Sequence, residues 1–129
     1  FIINSFLNKV PTIDLTAGDQ ERDFIYAKDI AILLHSIITK SDHINNGFHQ
    51  YDVGTGNTNS IKTVVNTIKK IMNNTSTDPS FGKKEYRQDE IMKSVANISQ
   101  LQRDFNWSPS YSLEEGLKLT INNEVKHNV

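Results

Sequence analysis

A chain of 129 residues with 14 basic and 15 acidic side chains, formal charge -1, fits one domain with a modest core and has no basic stripe for non-specific nucleic-acid binding. No apolar run approaches the roughly 20 residues of a membrane-spanning helix, and the lack of cysteine excludes disulfides and thiolate metal sites. The expectation is a soluble, cytoplasmic protein with no nucleic-acid or membrane partner and no metal, since His35, His43, His49 and His127 show no ligand spacing.

The chain opens without methionine, inside an apolar pattern of Phe1, Ile2, Ile3, Phe6 and Leu7, which reads as a fragment of a longer protein. Helical spacing over residues 1–8 must stop near Val10, because Pro11 disfavours the helical conformation in the residue before it. Residues 12–15 form a brief extended stretch, Gly18 centres a turn, and residues 24–26 are aromatic and β-branched enough for a strand. Asp29 suits the cap of a helix whose segment 30–38 is apolar on nearly every side, a pattern that calls for packing between two layers.

Asn45, Asn46 and Gly47 predict a turn, residues 48–53 a strand, and Gly54-Thr55-Gly56 a second turn. Ser60 then caps a helix carrying Ile61, Val64, Val65, Ile68, Ile71 and Met72 as one stripe, the strongest periodic signal in the chain. Residues 73–80 read as a polar loop containing Pro79, and 81–86 as a short strand. Asn97, with Gln100 in the capping-box position, opens a helix through Ile98, Leu101 and Phe105 that Trp107-Ser108-Pro109 ends. Ser112 and Glu115 form a second box, ahead of Leu113, Leu117, Ile121 and Val125 on one helical face. Alternation of strand and helix predicts an α/β fold, or α+β if the chain stands alone.

The turn at residues 54–56 imitates a dinucleotide fingerprint, but Asn59 occupies the third glycine position and no acidic residue closes a following strand, so a plain strand-to-helix turn is the reading. No nucleophile elbow exists, and the neighbouring carboxylates Glu114/Glu115 and Asp89/Glu90 suit exposed helix starts and turns. The arginines are more telling. Arg22 lies beside the Gly18 turn and Arg87 at the end of a predicted strand, each able to present a planar fork of donors to an anion, whereas Arg103 lies on the polar side of its helix.

Thr16 to Asp29 (Thr-Ala-Gly-Asp-Gln-Glu-Arg-Asp-Phe-Ile-Tyr-Ala-Lys-Asp), Tyr51-Asp-Val-Gly-Thr-Gly56, Arg87 to Glu90, Asn106-Trp-Ser-Pro109 and Ser112-Leu-Glu-Glu-Gly116, in that order, resemble the C-terminal part of extended short-chain dehydrogenase/reductases. These are nucleotide-sugar epimerases, dehydratases and reductases. Residues 89–97 are most similar to the reductases that use NADPH on the 4-keto group of a CDP-linked 3,6-dideoxyhexose.

The resemblance implies that residues 1–129 are a substrate-binding lobe, with 30–72 supplying a helix, strand and helix that pack on a cofactor-binding Rossmann domain. It implies that Arg22 and Arg87 grip the nucleotide diphosphate from two sides, that Glu90 accepts hydrogen bonds from the ribose hydroxyls, and that Thr12 and Ile13 border the base. NAD(P) and the catalytic residues would belong to the intact enzyme: no Tyr-x-x-x-Lys occurs here, because Tyr26, Tyr51, Tyr86 and Tyr111 are followed four places on by Ile30, Thr55, Glu90 and Glu115. The expected partner is a nucleotide-sugar of surface-polysaccharide synthesis, with a homodimer for the intact enzyme and self-association for the lobe. The competing expectation is a free-standing, non-catalytic interaction or nucleotide-binding module.

Overall fold

In a computed structural model, residues 1–40, 44 and 46–127 are described; His43, Asn45 and the side chain of His127 lie outside them, and with them part of the turn expected at 45–47. Five helices and five short strands occur among the described residues: α1 Ile2–Leu7, β1 Thr12–Asp14, β2 Glu21–Arg22, α2 Ala27–Lys40, β3 Asn59–Ser60, α3 Ile61–Ile71, β4 Asp78–Ser80, β5 Lys93–Ser94, α4 Ser99–Phe105 and α5 Leu113–His127. The mixed α/β class expected from the sequence is the class observed.

Local signals determine the helices. The α3 stripe buries Val64, Val65 and Ile68, and Ser60 Oγ accepts the amide of Thr63 at 3.1 Å, leaving fewer orphan donors in the first turn. At α5 the capping box closes: the Ser112 amide and hydroxyl both donate to Glu115 Oε2, at 2.9 and 2.6 Å, and the Glu115 amide donates back to Ser112 Oγ at 3.3 Å. These bonds hold the Glu115 carboxyl below its ordinary range. At α4 the Asn97 side chain accepts the Ser99 amide at 3.2 Å, but the helix starts at Ser99, one residue later than expected, and Ile98 stands at its cap.

Asp29 is corrected from cap to interior. It is wholly buried in the first turn of α2, where its carboxylate accepts the amides of Ser110 at 2.9 Å and Tyr111 at 3.2 Å and so ties α2 to the approach of α5. The packing explains the location: Tyr26 and Tyr111 meet edge to face with centroids 5.0 Å apart, and a Cβ on Gly116 would stand 3.2 Å from that of Tyr26.

The strands depart most from expectation. Residues 24–26 carry no ladder; the strand is Glu21–Arg22, which pairs antiparallel with β3 (Arg22 opposite Asn59) and parallel with β5 (Arg22 opposite Ser94). Residues 48–53 and 81–86 also carry none, and Phe48 is 89% exposed. Conversely, Asp78–Ser80 lies within the expected loop but pairs parallel with β1. Its proline is tolerated because the sheet has two strands only, so each has an open edge where a missing N–H costs nothing.

Two apolar clusters result. Phe6, Ile13, Val64, Val65, Ile68 and Ile121 join α1, β1, α3 and α5, whereas Leu33, Leu101, Phe105 and Trp107 join α2 to α4. The Ile13 side chain, 4% exposed, belongs to the core, and its neighbour Thr12 faces solvent. Only Leu33 and Asp29 are buried on α2, while Leu34 and Ile38 are 55% and 77% exposed, so the second layer its composition calls for is not supplied by the described residues. Among those residues no helix is long and apolar enough to cross a membrane.

Candidate functional site

Arg22 sits in the middle strand of the three-stranded sheet, which fixes its backbone from both sides. Its guanidinium is engaged at both terminal nitrogens: Nη1 donates to the Glu21 carbonyl at 2.8 Å and Nη2 to Glu90 Oε1 at 2.6 Å. Both side chains of the pair are largely buried, with 29% and 21% of their surface exposed. Glu90 arrives on a turn closed by its own amide donating to the Arg87 carbonyl at 3.1 Å, and Arg87 itself is exposed. The turn is anchored by Tyr86, whose hydroxyl accepts the Asp19 amide at 2.9 Å.

Gly18 makes that junction possible. Its φ of +81° belongs to the left-handed region open to glycine, its carbonyl accepts the Lys62 amide at 2.9 Å, and a Cβ would press to 3.0–3.2 Å on Lys62 and Phe81. Thus three separated pieces of chain, 18–22, 59–62 and 86–94, meet around Arg22 and Glu90, with Arg87 three residues upstream. Thr12 is exposed on β1.

Four groups were missed or misplaced by the sequence reading. Asp23 points its carboxylate into the 54–56 turn, where Oδ1 accepts the Thr55 amide at 2.8 Å and hydroxyl at 2.6 Å, and Oδ2 accepts the amides of Gly56 at 2.9 Å and Ala96 at 3.3 Å. The turn does cradle an anion, but the anion is the protein's own. Burial works to raise the Asp23 pKa, and the bonds from Thr55, Gly56 and Ala96 outweigh it, holding the carboxyl below its ordinary value. A Cβ on Gly54 would stand 2.6 Å from that of Ala96 and closer still to the Asp23 carboxylate, so only glycine admits it there. Next along β2, Glu21 Oε2 accepts Thr58 Oγ1 at 2.8 Å and pairs with Lys93 at 3.1 Å; these partners lower its pKa. Tyr86 and the buried Asp29 complete the set. The adjacency of Asp23 to Arg22 was a visible signal, but its partner lies 32 residues on and no local pattern announces it.

A cleft of about 290 Å³ opens between residues 24–27 and the first turns of α5, lined among others by Phe24, Tyr26, Leu113 and Leu117. Its walls are mostly apolar, unlike the charged surface at Arg22.

Residues 1–120 match the family model described as GDP-mannose 4,6 dehydratase. CDP-abequose synthase of Salmonella muenchen is 39% identical over 106 residues, which are 82% of this chain and 35% of that protein. Solved structures of nucleotide-sugar enzymes share the fold. The UDP-glucose 4-epimerase of Thermotoga maritima with UDP-glucose superposes with a TM-score of 0.81 at 23% identity, over 99% of this chain and 39% of that one. The UDP-glucose 4-epimerase of Bifidobacterium longum in complex with NAD+ and UDP gives 0.81 at 19%, over 98% and 38%. The chain spans little more than a third of the length of these proteins.

Proposed function

Because the chain belongs to the extended short-chain dehydrogenase/reductase family, whose relatives here act on nucleotide-sugars, we propose that it is the part of an NAD(P)-dependent 4-keto reductase or epimerase that binds the nucleotide diphosphate. The observation that supports this reading is the contact of Arg22, on the middle strand of the β3-β2-β5 sheet, with Glu90, which stands on the turn that begins at Arg87.

In this reading Arg22 and Arg87 each offer a fork of donors to the diphosphate oxygens, a geometry that suits paired, charge-assisted bonds. Glu90 accepts from the ribose hydroxyls, and Thr12 with the β1 main chain borders the base. The likeness to CDP-abequose synthase favours a CDP-linked deoxyhexose of surface-polysaccharide synthesis. Hydride transfer would be supplied by NAD(P) and by catalytic residues outside these 129; the contribution of this chain is remote binding energy that positions the sugar for reaction.

Calorimetric titration with CDP, UDP and dTDP tests the assignment. CDP should bind most tightly, and Arg22→Ala or Arg87→Ala should each weaken it about tenfold or more, the loss of one or two hydrogen bonds to a charged group. Unchanged CDP affinity in both variants would sink the diphosphate clamp.

A further inference from the structure

We propose that Glu90 is a specificity-determining residue that acts as an internal competitor for the Arg22 fork, so that the site rejects bare phosphate and pyrophosphate. The inference rests on reading Arg22 as a phosphate-gripping residue. It starts from the 2.6 Å contact between Arg22 Nη2 and Glu90 Oε1 in a pair that is mostly shielded from solvent.

The pair is imposed by main chain rather than by two flexible side chains meeting at the surface. Arg22 is held opposite Asn59 and Ser94, the Glu21 amide donates to the Met92 carbonyl at 2.7 Å, and the Glu90 amide closes the turn on Arg87. Of the two carboxylates that adjoin Arg22 in sequence, Glu21 is taken up by Thr58 and Lys93, and Asp23 by the 54–56 turn and the Ala96 amide. Among the described residues Glu90 is therefore the carboxylate that pairs with the guanidinium.

An anion arriving at Arg22 meets a cation already paired and a carboxylate of its own sign beside it. Like charges at such short range disfavour each other strongly where water is partly excluded. Inorganic pyrophosphate brings negative charge and no carbon-bound hydroxyl to offset that repulsion. A nucleoside diphosphate carries two ribose hydroxyls, whose protons Glu90 can accept while its hold on Arg22 loosens. The carboxylate thereby converts a general anion fork into one that admits an anion only in company with hydroxyl donors.

The test compares inorganic pyrophosphate and CDP by calorimetry on the wild type, Glu90→Gln, Glu90→Ala, Arg22→Ala and the Glu90→Gln/Arg22→Ala double variant. Removing the carboxylate should tighten pyrophosphate binding about tenfold, a gain that misfolding cannot imitate, and the double variant should lose the gain. Pyrophosphate binding no tighter in either Glu90 variant than in the wild type overturns the proposal, as does a gain that persists without Arg22. If Arg22→Ala binds CDP as the wild type does, the fault lies with the clamp reading; if it weakens CDP while the Glu90 variants gain nothing, the competitor role alone fails.

Discussion

Replacing Asp23 by asparagine keeps the shape of the side chain and removes its charge. One oxygen can still accept the Thr55 amide and hydroxyl, but the new NH2 group faces the amides of Gly56 and Ala96, which are donors themselves. Two acceptor bonds are lost and two weakened; with one of the four at 3.3 Å and the Gly56 amide exposed, each counts at the low end of its range, for a total of about 2–3 kcal/mol. For a chain of this size that lowers the melting temperature on the order of 10 °C.

The pH dependence gives an independent reading. The folded-state pKa of Asp23 lies below its ordinary value of 3.8, so its stabilisation is complete above that value and disappears as the pH falls through the lower, folded one. Urea unfolding at pH 7 and over a series from about pH 5 down to pH 2 should show the wild type losing stability that the asparagine variant has already lost. Coincident urea midpoints at pH 7, or parallel acid profiles, would refute the argument that this carboxylate holds the turn.

Gly54→Ala should destabilise by about 2–3 kcal/mol, because its Cβ must displace Ala96 and the Asp23 carboxylate, and denaturant unfolding measures this directly. Ser112→Ala opens the α5 capping box and should cost about 1 kcal/mol, read as a lower urea midpoint with unchanged slope. On α2, Leu34→Gln with Ile38→Gln should change stability by less than about 0.5 kcal/mol while reducing self-association in sedimentation velocity, since both side chains are mostly exposed; concentration-independent sedimentation of the unsubstituted protein would refute the expected self-association.

Helices proved legible wherever their information is local. The α3 stripe and its Ser60 cap, and the Ser112–Glu115 box, involve residues within a few positions of one another, so spacing alone specifies them. Asp29 misled because a good capping residue is equally good at any site with two amides to satisfy, and its two amides come from residues 110 and 111. Strands were the weak point for the same reason. A two-residue ladder at Glu21–Arg22 has no composition to recognise, while residues 24–26 and 48–53 have β-like composition and no ladder neighbour.

What the amino-acid sequence determined by itself was the helical framework, the α/β class and, through motif order, the family. It singled out Arg22, Arg87 and Glu90 but could not say that Arg22 and Glu90 hold each other. Only the tertiary structure decided that pairing, the placement of Ile13 in the core, and the filling of the 54–56 turn by Asp23. Each of these joins residues more than 30 positions apart, where contact depends on how sheets and helices bring distant chain together and not on any periodicity of neighbours.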